Sequence, residues 1–238
     1  KSWTMGNQLT FSGSGELDNG MNVSISFVLD QGDDTAVASG PFDSHSVTVS
    51  SDSMGTLVFS GEGGSSAQTA IDTTAAGDLW NNGSGITGAL ASEAGNNSLM
   101  YTFPSIMDDM TIKASYSPGS AGGGSATAWS VGFTGVEGLS VDVGVGQTET
   151  IGSKAEHTTY KASYAISSFT IGYSNTESDG SDITNEEMSS WNLAYTVSDD
   201  ISITYGAETL DTTGSAVDEE MEGFGISYAT GGVTLTAN

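Results

Sequence analysis

From Asn7 to the end of the chain, apolar and polar residues alternate with a period of two, the signature of strands with two unlike faces. Leu9, Phe11, Gly13, Gly15 and Leu17 form one phase, with Thr10, Ser12, Ser14 and Glu16 between them. Asp18-Asn19-Gly20 follows, and Asn-Gly between two such runs is a strong hairpin signal. The apolar phase resumes at Val23, Ile25, Phe27 and Leu29. The same alternation returns at Leu57/Phe59, Leu99/Tyr101/Phe103, Met110–Tyr116, Trp129–Phe133, Leu139–Val145, Tyr160–Tyr164, Phe169–Tyr173, Trp191–Val197, Ile201–Ala207, Phe224–Tyr228 and Val233–Ala237. With a short strand around His45–Ser51, the pattern predicts about fourteen strands, many close to the ~9–11 residues that cross a bilayer at a tilt. Every aromatic residue except Trp3, Phe42 and Trp80 falls on the apolar phase, where chance would place about half of them.

The connections alternate as well. Short turns are expected at Leu17–Asn22, Ser51–Gly55, Ser105–Asp109, Val136–Gly138, Ile166–Ser168, Ser198–Asp200 and Ala229–Gly232. Longer loops are expected at Gln31–Ser44, Gly63–Asn97, Pro118–Ser125, Thr148–Glu156, Asn175–Met188 and Thr209–Met221. This is the plan of an antiparallel up-and-down meander with one plain end and one elaborated end. Most carboxylates follow the long loops, so one end should carry a strong negative potential.

Charge narrows the functional classes. The 238 residues hold 4 Lys+Arg against 30 Asp+Glu, a formal charge of −26. All four cations are lysines (Lys1, Lys113, Lys154 and Lys161). Without a basic footprint, nucleic acid is excluded as a partner and so is a basic patch for anionic headgroups. The absence of Cys excludes disulfides, thiolate nucleophiles and zinc–cysteine sites. No run approaches the ~18 apolar residues of a transmembrane helix, but a β-barrel crosses by alternation and needs none. Two architectures fit. In a secreted or surface-layer acidic β-protein with an adhesive or structural role, the apolar phase would be the core of a sandwich. In a membrane barrel it would face lipid. The polar phase is Ser, Thr, Gly and Ala rather than the Lys and Glu of a solvated strand face, and aromatics such as Phe11, Tyr116, Trp129, Tyr173, Trp191, Tyr205 and Tyr228 sit near strand ends as interfacial girdles do. Both features favour the barrel.

The stretch NQLTFSGSGELDNGMNVSISFVLDQ, Asn7 to Gln31, resembles the second and third strands of alphaproteobacterial general porins, especially those of marine bacteria. SSAQTAIDTTAAGDLW, Ser65 to Trp80, looks like the start of their third loop, which folds into the barrel and narrows it. The hairpins around SYAISSFTIGYS and AYTVSDDISITYGAETLD are similar to later strands of that family. The resemblance implies an all-β, antiparallel, up-and-down transmembrane β-barrel of about sixteen strands when complete. It implies a single domain over 1–238 with a constriction-type loop at 63–97. It also implies a place in the outer membrane of a Gram-negative bacterium, contact with outer-membrane lipid and lipopolysaccharide, a homotrimer, and small hydrophilic solutes as cargo. Lys1 opens no leader pattern, as in a mature, truncated or cytosolic chain. Against the family plan, a first strand and the last one or two are expected to lie outside the sequence.

A connection as long as Gly63–Asn97 is usually functional. Its Ala67–Trp80 stretch has enough Ala for a helical turn or two, with Thr and Asp to cap it. Asp72, Asp78 and Glu93 are its candidate constriction acids, a negative ring of the kind that sets ion preference in pores; the plainer alternative is a solvated outer loop. General porins face such a loop with an arginine cluster, and this chain has no arginine to place there. Lys113 and Lys161 fall on the polar phase, where each is either a wall cation or a water-exposed lysine without a role. Glu16, Glu62, Asp142 and Glu208 share that phase, so a net acidic, cation-preferring lumen is expected. Asp33-Asp34 and Asp218-Glu219-Glu220 could take Ca²⁺ or Mg²⁺ through oxygen ligands, although neither has calcium-loop spacing; otherwise no cofactor or metal is expected. His45 and His157 are the only histidines, and Asp43-Ser44-His45 holds triad residue types without implying triad geometry. The glycines of GLSVDVGVG alternate along a strand and precede no helix, so they are no phosphate loop. No enzymatic activity is expected.

Overall fold

The computed structural model describes residues 8–29, 42–71, 96–119, 124–150, 152–180, 184–215, 217–230 and 233–237. Among the described residues are fourteen strands: β1 (Leu9–Glu16), β2 (Asn22–Leu29), β3 (Phe42–Ser51), β4 (Gly55–Glu62), β5 (Ser98–Thr102), β6 (Met110–Ser117), β7 (Ala126–Val136), β8 (Leu139–Thr150), β9 (Ser153–Ile166), β10 (Phe169–Gly180), β11 (Glu186–Ser198), β12 (Ile201–Thr212), β13 (Glu219–Thr230) and β14 (Val233–Ala237). They form one sheet in sequence order, each strand antiparallel to the next. The short-turn end is built from tight reversals. Gly138 takes φ +79° in the β7–β8 turn, a conformation that favours glycine, and its carbonyl accepts a 2.8 Å hydrogen bond from the Ala165 N–H of β9.

The two faces are inverted relative to a water-soluble sheet. On the apolar phase Trp129 is 53 % exposed and Ile171 55 %, whereas on the polar phase Thr159 is 0 % and Ser174 2 %. The buried residues are mainly Ser, Thr and Asn, with Ala67, Ile71, Ala126, Ala128, Ala155 and Met188 as the apolar minority. Such a sheet gains its hydrophobic stabilisation from the medium outside it, which excludes the sandwich. Outward aromatics meet across strands: Phe11 stacks on Phe27 at 5.1 Å, Trp191 meets Tyr205 edge-on at 5.6 Å, and Phe169 lies 4.7 Å from Tyr195.

Three expected loops are much shorter than the alternation suggests. Most of Thr148–Glu156 is strand, because β8 runs to Thr150 and β9 starts at Ser153. Asn175–Met188 contracts to 181–185 and Thr209–Met221 to 213–218. The expected short strand at His45–Ser51 is ten residues long, Phe42–Ser51. In these extensions pairing continues after the apolar band has ended. Both faces are polar there, so the period in hydrophobicity vanishes while the ladder does not.

Candidate functional site

Register places the inward side chains in transverse rungs. One rung runs Thr111, Gly132, Asp142, Lys161, Ser174, Ser190, Glu208 from β6 to β12. Two residues toward the long-loop end, the next runs Lys113, Ser130, Gly144, Thr159, Thr176, Met188. Asp142 and Lys161 therefore face each other directly, and Ser174 and Ser190 share a 2.7 Å hydrogen bond between Lys161 and Glu208.

Onto these rungs folds the segment after β4. Ser66 opens a single helical turn: its carbonyl accepts the Ala70 N–H at 2.9 Å, and its hydroxyl accepts the Thr69 N–H at 3.0 Å. Ser66 thus caps this turn, and the rest of the expected Ala67–Trp80 helical stretch, from 72 on, lies outside the described residues. The turn is pinned to the wall at two points. The Ala67 N–H donates to Ser115 Oγ at 2.8 Å, and the fully buried Gln68 donates through Nε2 to Thr159 Oγ1 at 2.7 Å. Thr159 is in turn 3.1 Å from the Thr176 hydroxyl. Between the pins, Gly144 leaves room for close approach: a Cβ there would lie 2.7 Å from Ile71 Cδ1 and 3.1 Å from Gln68 Cα. A cavity of about 180 Å³ remains beside Ile71, lined by Thr111, Lys113, Ser130, Gly132 and Asp142 among others.

The expected site residues distribute unevenly. Lys113, Asp142, Lys161 and Glu208 all lie on the two central rungs, with Glu208 only 3 % exposed. Glu16 ends β1 opposite Asn22, exposed at the short-turn rim. Glu62 ends β4 at the opposite rim, where a register shift pairs it with His45. Asp72, Asp78 and Glu93 lie outside the described residues, as does Asp33-Asp34. Gln68, Thr159 and Gly144 were not singled out from the sequence. Only Gly144 carried a signal, a glycine in a strand interior.

The histidines form no catalytic pair. The His45 ring fills the space a Gly61 side chain would occupy. His157 faces inward on the β9 extension, its Nδ1 3.0 Å from Ser178 Oγ and its Nε2 3.5 Å from Thr148 Oγ1, and burial holds its pKa below the usual value. Both ring nitrogens face hydroxyls, and a triad needs a carboxylate on one of them, at Nδ1, where Ser178 stands.

On the outer face of the extensions, beyond the aromatic belt, carboxylates oppose one another: Glu177 faces Glu187, Glu187 faces Asp211, and Asp179 faces Glu156. Asp179, through a hydrogen bond and its charge, raises the Glu177 pKa, with burial and Glu187 adding to the effect. Lys154 lowers that of Glu156 through a 2.6 Å ion pair. Among the described residues no three His, Asp or Glu are grouped to hold a metal ion.

A family model described as Gram-negative porin matches residues 2–238. No curated protein matches the chain. Solved structures do. A loop-deletion variant of the Vibrio cholerae outer-membrane protein OmpT superposes with TM-score 0.71 at 19 % identity, over 96 % of this chain and 82 % of that one. An anion-selective porin from Comamonas acidovorans gives 0.66 at 15 %, over 96 % and 75 %. A variant of the Rh. blastica porin gives 0.68 at 15 %, over 96 % and 82 %.

Proposed function

The chain belongs to the Gram-negative porin family, and on that premise we propose a cation-preferring diffusion pore whose lumen is narrowed by the segment from Gly63 to Asn97. Membership itself makes it an outer-membrane, barrel-type channel for small solutes in a Gram-negative bacterium, a transport protein and not an enzyme. Within the family, the resemblance of the Asn7–Gln31 and Ser65–Trp80 stretches supports a reading as a general porin of the marine alphaproteobacterial type.

The observation that carries the constriction is the double pinning of the Ser66–Ile71 turn to the polar face of the sheet. A connection that starts on the inner wall reduces the cross-section of whatever passes. The two central rungs carry Lys113 and Lys161 against Asp142 and Glu208, so their formal charges cancel. The cation preference then comes from Asp72, Asp78 and Glu93 in the loop, with Glu16 and Glu62 at the rims, and from the lack of any arginine to oppose them. The Comamonas porin, by contrast, is described as anion-selective.

Reversal potentials across planar bilayers under a KCl gradient test this reading. The expected sign is that of a cation-selective pore, and it weakens in Asp72→Asn, Asp78→Asn and Glu93→Gln combined. An anion-selective potential sinks it. Assembly is a separate matter. We propose a homotrimer set in lipopolysaccharide-bearing membrane, for which unheated samples should migrate on a detergent gel as a species that boiling converts to the monomer. Identical migration before and after boiling argues against the trimer.

A further inference from the structure

We propose that the recess beside the pinned turn is a transit site for small zwitterionic solutes of the α-amino acid class, with Lys113 taking the carboxylate and Asp142 the ammonium. It rests on the reading of the chain as a pore, since a solute must enter the lumen to reach it, but not on the ion preference of that pore. The recess spans three rungs of the inner wall. At the long-loop side Ala70 and Ile71 of the turn close it, and Lys113 and Ser130 face in from β6 and β7. The next rung supplies Thr111, Gly132 and Asp142. Asp109 and Thr134 line the short-turn opening, where the Thr134 N–H donates to the Asp109 carbonyl at 2.9 Å.

Two glycines shape the recess. Gly144 admits the turn, and Gly132 lets the Asp142 carboxylate lie across β7: a Cβ at 132 would be 2.7 Å from Asp142 Oδ1. The carboxylate is thereby aimed at β6, the strand that carries Lys113. Yet the two charges do not close on each other. Their backbones stand two strands apart, ~10 Å at the usual spacing, and one rung out of step. Among the described residues neither Lys113 nor Asp142 forms an ion pair or a hydrogen bond with another side chain. Both are only partly exposed. Opposite charges held open across one small cavity suit a molecule that carries both.

Size and charge narrow the class. The cavity of about 180 Å³ holds roughly six waters at ~30 Å³ each, or a solute with about that many heavy atoms, the size of alanine. A simple cation would leave Lys113 facing a like charge, and a simple anion would do the same to Asp142. A zwitterion meets both and adds no net charge. Asp109 lies beyond Asp142 on the short-turn side, so the ammonium end points toward the short turns and the carboxylate toward Lys113. Ala70 and Ile71 offer the alkyl group an apolar contact. Both ion pairs are part-solvated and therefore weak, as a permeating solute requires if it is to leave. Water alone is the competing occupant.

L-Alanine is the probe, compared with propionate, which lacks its ammonium, and ethylammonium, which lacks its carboxylate. Saturation-transfer NMR is recorded on the full chain folded in detergent micelles, and osmotic swelling is followed in liposomes that contain it. The expected methyl-proton transfer signal is about threefold stronger for alanine than for either analogue. Lys113→Met and Asp142→Asn should each lower the alanine signal about threefold, and both changes face the lumen, where substitution tunes passage rather than folding. Glu220→Gln, on the outer face, leaves it unchanged. An equal signal from propionate or ethylammonium, or an alanine signal that survives both substitutions, overturns the site. An absent alanine signal overturns it in favour of water. Liposomes that swell in neither alanine nor arabinose overturn the pore reading instead, whatever the NMR result.

Discussion

Leu193→Arg is expected to remove about 2–4 kcal/mol from the folded barrel in lipid bilayers, the cost of placing a cation on the hydrocarbon face. Leu193 stands on the outward face of β11 between Ile171 of β10 and Tyr205 of β12, flanked along its own strand by Trp191 and Tyr195. It is 42 % exposed. In water, a leucine that exposed would give way to arginine at little cost, within about 0.5 kcal/mol. The large loss arises only because the medium around this face is hydrocarbon. Thr170→Lys is the matched control. Its neighbours are Ala165 and Ala194, it lies on the opposite face, and it is only partly exposed. Folding should barely change there, while the reversal potential moves toward anions. Urea titrations in liposomes of defined lipid measure both. Equal losses for the two variants would mean that the outward phase does not face lipid.

The same asymmetry of medium explains how much of the fold was legible. Where a strand separates hydrocarbon from water, each residue reports its face, and all fourteen strands surface as alternation. Above the aromatic belt both sides are wet. Glu177 and Asp179 then point outward on β10 while Thr176 and Ser178 point inward, and no contrast in hydrophobicity marks the strand. The β8–β9 turn was therefore read as a loop, and with it the register was lost. Only the pairing of Thr150 with Ser153 at the ends of the two strands sets Asp142 against Lys161. The charged residues of the wall were legible individually, but their pairing was not. At Glu62 the phase is clear and the pairing is not, because a bulge shifts the β3–β4 register there. Gln68 was illegible for a third reason. A buried amide in a short Ala- and Thr-rich turn carries no periodicity, and its importance lies in the hydroxyl that it meets on β9, 91 residues further along the chain.

The docking of Gln68 on β9 makes the second large effect local to one glycine. Gly144→Val is expected to lift the Ser66–Ile71 turn off the wall. A Cβ at 144 lies within 2.7 Å of Ile71 Cδ1, and the further contact at 3.1 Å is to Gln68 Cα, which is backbone and cannot rotate away. Overpacking of this kind costs about 1–3 kcal/mol, comparable with the one or two net hydrogen bonds that hold the turn, at about 0.5–1.5 kcal/mol each. The turn therefore yields before the strand does, because β8 is paired along its length with both β7 and β9. Displaced toward the lumen, it should lower single-channel conductance and expose the Ala67 amide to hydrogen exchange, leaving the strand amides of β8 protected. Gln68→Ala separates the causes. It removes the Thr159 contact without adding bulk, so exchange at Ala67 should rise and the current become noisier, with mean conductance reduced less than in Gly144→Val. Unchanged conductance in Gly144→Val, with the Ala67 amide freed, would show that the pinned turn does not border the permeation path.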